Sequence, residues 1–552
     1  MPNIEKYFIE NSEIRTEALI KRQCVDEHSP VFGSIVYDEY SLPDPKATAW
    51  NTLTFATSWL YPKSRFWGDI RMFERIDIAL DFITRRQHPG GCFDLENVNF
   101  YSAPDTAFIL CALIPLYRLF QKHKYADKTA LSPLAEKINN IMLPAFEGIC
   151  AGGFHTPNHR WVNASTLAAG YNFTRNKAYL DKAKRYLAEG IDCNEYGEYS
   201  EKSANYNFVN NRAMIMLFEE LGDEKYLEYV KRNLDMTLYY LESDGSLFTE
   251  KSVRQDRGRK YFPDELYFQY LYIAHHYKDK AAAQVAAFIF DRLFKNRYFA
   301  APDFLYEFML HEEISFSDTD LFVSADNFKI PDYNRHFSSS GIVRYKRGDF
   351  GYTLMENNNK ILCFSVGNLI GYMKLTVGYF SAGHIQAAHI QPTDNGYCFD
   401  FGAESWYYEP LENVTEPIID FRAADHSMRK LQHPSRISLR FEIRHAENGI
   451  DLRIVTNGLN GVHYRFEFVL PPGKLTTHDS FAMVPEPGSY VLLKNGHVNV
   501  HDKNHTLVIG ECFADRQVFQ VNGHSDPRSS DSYTVYMTGT TNFDRVIKIR
   551  VI

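Results

Sequence analysis

Up to about residue 325 the apolar positions recur at three- and four-residue spacing. The pattern predicts helices over Arg71–Arg85, Asp105–Lys122, Leu131–Ile149, Asn176–Gly190, Ser203–Leu221, Lys225–Leu241 and Lys280–Leu293. Polar, glycine-containing loops interrupt them at His88-Pro89-Gly90-Gly91, Ala151-Gly152-Gly153, Glu195-Tyr196-Gly197 and Ser243-Asp244-Gly245. From Gly91 to Gly153, Gly197 and Gly245 the steps are 62, 44 and 48 residues, an interval that suits one helix pair per repeat. Repeated helix pairs can stack as an open solenoid or close into an (α/α) toroid; in either case equivalent loops fall at one end, and in a closed toroid their polar residues converge.

After about Pro331 the period changes to two. Ile437, Leu439, Phe441 and Ile443 alternate with Ser438, Arg440, Glu442 and Arg444. Glu447-Asn448-Gly449-Ile450 signals a hairpin, Lys494-Asn495-Gly496-His497 a second one, and Arg545–Val551 a closing strand. The expected fold class is α+β multidomain: helix pairs over 1–325, for which closure into an (α/α) toroid is favoured and is also what the resemblance given below implies, then an antiparallel β-sandwich over 326–552. No low-complexity linker separates the two near residues 320–335.

Composition narrows the function. The 552 residues carry 60 Lys+Arg against 69 Asp+Glu, a formal charge of −9 that argues against a dedicated nucleic-acid binder. No apolar run long enough to span a membrane is expected, and no secretory signal is visible after Met1. The eight cysteines never form Cys-x-x-Cys, so reduced thiols in a cytoplasmic protein, without a zinc site, are the expectation.

Four segments concentrate polar chemistry. Asn97–Thr106 leads into a helix with Tyr101 and with Asp105, whose ordinary role would be to cap that helix. Asn158-His159-Arg160-Trp161 stands at an expected helix start, where backbone dipoles favour an anion and these side chains can grip a carboxylate. Glu198, Glu201, Asn205 and Tyr206 lead on to Arg212, and a tyrosine so surrounded can exchange a proton. In the β half, His384 and His389 stand five apart and suit a metal pair or an acid/base site, although the spacing matches no specific zinc motif. Tyr101, Trp161, Tyr261 and Trp406 are aromatics able to stack on sugar rings.

Taken together these segments resemble the heparinase II/III-like polysaccharide lyases, including the family 33 lyases, over nearly the whole chain. Glu198-Tyr199-Ser200-Glu201-Lys202-Ser203-Ala204-Asn205-Tyr206 resembles the family stretch that ends in a catalytic tyrosine, which falls here on Tyr206. Asn158-His159-Arg160-Trp161 resembles the site that neutralises a uronate carboxylate, and Gly383–Gln391 is similar to the β-domain histidine segment. That segment departs from the family's usual His-x-His-Ala-Asp pattern, which leaves open which histidine matters and weakens any metal site. The resemblance implies β-elimination on uronic-acid-containing saccharides. Asn158, helped by His159 or Arg160, would stabilise the enolate-like intermediate, and His159 or Tyr206 would remove the proton. Tyr206 would protonate the leaving oxygen, and His384 or His389 would complete the site. Arg160, Trp161, Asn205, Arg212, Asp105, Glu198, Glu201 and Tyr101 would contact substrate. No cofactor is implied.

Two rival readings remain. A glycoside hydrolase on the same scaffold, similar to the β-glucuronidases of glycoside hydrolase family 154, would need two carboxylates, which Asp105, Glu198 and Glu201 can supply. A non-catalytic carbohydrate-binding protein is the other. A cytoplasmic enzyme would meet short oligosaccharides and act from their ends, either alone or as a homo-oligomer. No membrane or nucleic-acid partner is expected.

Overall fold

The computed structural model describes all residues except 1–3, 37, 39, 123–127, 296–301, 326–327, 368, 413, 415 and 522–524. The chain divides into two compact units, residues 1–241 with 245–329, and residues 242–244 with 330–552. The first is helical: α1 (Ile4–Arg22), α2 (Pro45–Leu60), α3 (Ile70–Arg86), α4 (Ala103–Gln121), α5 (Lys128–Ala151), α6 (Pro157–Thr174), α7 (Lys177–Ala188), α8 (Ala204–Leu221), α9 (Lys225–Leu238), α10 (Tyr267–Tyr277), α11 (Lys280–Ile289) and α12 (Leu305–Leu310). The even-numbered helices α2, α4, α6 and α8 pack side by side as an inner ring, and the odd-numbered ones back them. The ring closes where α1 meets the last pair. Phe8 packs on Tyr267 and Phe290 with ring centroids 5.5 and 6.0 Å apart, and the Tyr7 hydroxyl donates to the Phe294 carbonyl.

The sequence pattern predicts no helix over α2 and only the start of α6, because both are buried on nearly every side and show no polar stripe. Their hydroxyls turn inward onto their own backbone: Thr52 donates to Thr48 O, Thr57 to Leu53 O and Thr166 to Val162 O. Helix α4 is, against expectation, apolar and long enough to cross a membrane by length and composition. It lies in the core of the helical unit, 78% of its apolar window buried. The recurring loop glycines have a packing cause. Gly91 and Gly197 both have positive φ, and a Cβ at either would strike the backbone of a neighbouring helix, at Pro144 and Arg232.

The second unit holds two nine-stranded sheets whose inner faces share one apolar core. The long strands Gly396–Tyr408, Leu431–Ala446 and Gly449–Gly458 pair antiparallel, the last two through the Glu447-Asn448 turn. The expected hairpin at Lys494–His497 is not one. Tyr490–Leu492 pairs, in parallel, with Tyr533–Thr540 in one sheet, while Val498–His501 pairs in the other, so that turn carries the chain between sheets.

Candidate active site in the helical unit

The first turns of α2, α4, α6 and α8 bring a compact polar cluster to one end of the inner ring. Ser102 caps the start of α4. Ser102 Oγ accepts from the Asp105 backbone N–H and donates to Asp105 Oδ2 at 2.7 Å. Asp105 is thus not the cap itself, as the sequence suggested, but a buried carboxylate in the first turn. It also accepts from Asn99 Nδ2 at 2.9 Å and lies 3.5 Å from Lys46 Nζ of α2.

Asn158 and His159 follow Pro157 in the first turn of α6, where Thr156 occupies the cap position. Asn158 is 1% exposed and does not cap; its Nδ2 donates to both Glu201 carboxylate oxygens at 2.9 and 3.1 Å. Glu201 is buried too, and that burial raises its pKa, against the lowering effects of Asn158 and Arg254. The His159 ring stands edge-on to His155 at 4.5 Å and to Phe108 at 6.1 Å. Burial, then His155, lowers its pKa to about 4, opposed by Asp105. At neutral pH the imidazole is uncharged, so it adds no positive charge to the cluster.

Tyr206 sits in the first turn of α8, its N–H held by the Ser203 cap. Its hydroxyl accepts a hydrogen bond from Arg254 Nη2 at 2.7 Å, while the guanidinium lies 4.4 Å from the centroid of the same ring. Arg254 Nε lies 3.7 Å from Glu201 Oε1, so one arginine spans the tyrosine and the carboxylate. Asp256 fastens the segment carrying Arg254 to the α8 start. It accepts from Ser203 Oγ, Ser252 Oγ and the Ala204 N–H at 2.9, 2.6 and 2.9 Å.

Lys46, Arg254 and Asp256 were missed in the sequence. Arg254 lies in a stretch with Lys251, Arg257, Arg259 and Lys260, which looks like a solvated basic loop. That local density of positive charge in an acidic chain was the available signal.

Other expected contacts fall elsewhere. Arg160 is bound at 3.0 Å to Glu189 and at 3.0 Å to Asp192, which takes its charge away from Asn158. Trp161 is fully buried against Tyr199, so it cannot stack on a sugar. Glu198 accepts from the Tyr240 hydroxyl and lies 3.7 Å from Lys202 Nζ. Asn205 is near the Tyr261 hydroxyl, which also donates to Glu265. Tyr101 is 70% exposed, its ring tilted against that of His88 with centroids 4.2 Å apart. Arg212 lies further along α8, between the rings of Trp50 and Phe208.

In the β unit, His384 and His389 do not form the pair that their spacing suggested. His384 is half-buried, with Nδ1 3.2 Å from Thr376 Oγ1 and Nε2 accepting from the Asp526 N–H at 2.8 Å. Both its ring nitrogens are engaged. His389 is exposed, 4.0 Å from Glu356. Trp406 packs edge-on to Tyr408 in the same unit.

No protein-family model matches this sequence, and no curated protein matches it. Solved structures do. A Paenibacillus xanthan lyase aligns with 100% of this chain at 10% identity and a TM-score of 0.56. Heparinase III aligns with 98% at 10% identity and 0.53. A Streptomyces coelicolor chondroitin AC lyase, solved in complex with chondroitin sulphate, aligns with 99% at 11% identity and 0.52. The chain spans 57% of the xanthan lyase, 84% of the heparinase and 79% of the chondroitin lyase. It therefore has the fold of these polysaccharide lyases, a helical toroid followed by a β-sandwich.

Proposed function

We propose that this chain is a lyase that cleaves uronic-acid-containing oligosaccharides by β-elimination at the cluster around Tyr206. The observation that carries this reading is the Arg254–Tyr206 hydrogen bond at 2.7 Å, beside Asn158, His159 and Glu201. Eliminating across C4–C5 of a uronate requires removal of a weakly acidic C5 proton, stabilisation of the enolate-like intermediate, and protonation of the departing oxygen.

A guanidinium donating to the phenol oxygen holds the Tyr206 hydroxyl at this end of the ring, where it would take the proton and return it to the leaving group. The positive ends of four inner helices, with Lys46 and Arg254, favour a carboxylate at this end of the ring. Asn158 spends its amide N–H groups on Glu201. Burial makes Glu201 easier to protonate, and in that form it can share its proton with the uronate carboxylate. His159, neutral at pH 7, is a second acceptor for the C5 proton.

The test is absorbance. Mixing with uronide oligosaccharides is expected to generate an unsaturated product absorbing in the ultraviolet, and Tyr206→Phe to slow its formation by about 10²–10⁴-fold. Release of a plain uronic acid with no absorbance rise would sink the lyase reading.

That outcome would favour the second reading, a hydrolase. Its support is that Asp105, ion-paired with Lys46, and Glu201, raised by burial, occupy one cluster with unlike environments, as an acid–base pair requires. Preference for short chains, attack from the chain end and a cytoplasmic setting belong to the same proposal.

A further inference from the structure

A cavity of about 860 Å³, within the size range of small-molecule sites, lies inside the helical unit, walled by α2, α4, α8, α10 and residues 302–313. It begins one helical turn inward of the candidate active site. Trp50 follows Lys46 by four residues on α2, Cys111 follows Phe108 by three on α4, and Phe208 and Arg212 follow Asn205 on one face of α8. Phe108 itself lies beneath Lys46 and His159.

The charges at the far end of the cavity are already engaged. Arg118 is ion-paired with Glu220, Lys122 donates to the Met309 and Leu310 carbonyls, and His311 stands among Glu219, Glu307 and Glu313. Arg212 is different. Its guanidinium carbon lies 4.8 Å from the Trp50 ring centroid and 5.0 Å from that of Phe208, and it has no carboxylate partner among the described residues. Held against two aromatic rings, its guanidinium can offer N–H donors that grip a carboxylate or sulfate through two oxygens.

We propose that this cavity is a second anionic subsite, in which Arg212 binds the carboxylate or sulfate of the sugar unit adjoining the one at Tyr206. The identity of the ligand as a saccharide rests on the function proposed above; the anion site rests on Arg212 and its cavity. A substrate with acid groups on neighbouring units would then be bound in preference to one with an isolated acid group.

Calorimetric titration of the Tyr206→Phe protein tests this without turnover. The probes are an oligouronate trimer, a sulfated neutral trisaccharide and its unsulfated parent. Arg212→Met is expected to weaken binding of one or both anionic probes at least tenfold and to leave the neutral parent unchanged. Which probe loses affinity tells carboxylate from sulfate. Equal affinity with and without Arg212, or equal loss for the neutral sugar, would overturn the proposal.

A second measurement keeps Arg212 in place. Saturating anionic probe is expected to change tryptophan fluorescence, and Trp50→Phe to remove that change. A bound probe with no Trp50-dependent signal would put the ligand elsewhere and also overturn it. Arg212-dependent binding, where the wild-type protein yields no absorbing product from uronide oligosaccharides, would support the subsite while refuting the lyase reading.

Discussion

The inner helix α6 has polar groups at both ends, and they behave differently. Its first turn carries Asn158 and His159 into a cluster with Glu201 and the Arg254–Tyr206 pair. Its last turn carries Asn172, which donates to the carbonyl and the carboxylate of Glu220, itself ion-paired with Arg118. Both ends carry carboxylate and amide, buried at the first and partly exposed at the second. At the first, the helix dipoles point positive and the groups surround a phenol held by a cation. At the second, the dipoles point negative, and cations and amides serve to neutralise glutamates at helix C-termini. Polar density alone does not mark a site; the direction of the helix ends and the available partners do.

The largest expected effect that tests this contrast is on Arg254. Arg254→Met removes both the hydrogen bond to Tyr206 and the charge beside Glu201, and should lower the rate of elimination by about 10²–10³-fold while leaving the melting curve nearly unchanged. A rate within threefold of wild type would make the first end as structural as the second.

Next in size is the response to acid. The folded pKa of His159 is lowered to about 4 from an ordinary 6.5, so the unfolded chain binds a proton more readily. The sign follows: above pH 6.5 the group contributes no penalty, and stability is lost as the pH falls from 6.5 to 4, by about 3 kcal/mol in full. Denaturant melts of wild type and His159→Asn at pH 7.5 and pH 4.5 should show the smaller loss in the variant; parallel losses would show that His159 is not buried in neutral form.

The smallest effect belongs to the second end. Asn172→Ala should lower stability by about 1 kcal/mol through the lost bonds to Glu220, and leave elimination within twofold, as read by a thermal melt beside the absorbance assay. A large drop in rate with unchanged stability would erase the distinction between the ends.

Much of the fold was legible because outer helices α3, α7 and α9 bury one face and expose the other, so their apolar spacing is visible along the chain. Helices α2 and α6 were less so, since a helix surrounded by others needs no polar stripe. The site was half legible. Asn158, His159, Glu201 and Tyr206 stood out because amide, imidazole, carboxylate and phenol crowd helix starts. Arg160 stood out for the same reason and was misleading. It shares the first turn of α6 with Asn158, but two residues along a helix place it on another face, where Glu189 and Asp192 take it.

The sequence by itself determined where most of the helices run, which residue types gather at the starts of α4, α6 and α8, and where helical period gives way to alternation, because those follow from local backbone sterics and from burial of one face. Only the tertiary structure decided which polar groups meet. Arg254 stands 48 residues after Tyr206. Lys46 stands 59 before Asp105. Such pairs arise when a ring closes and stacks separate helix ends against one another, and no spacing along the chain encodes that distance.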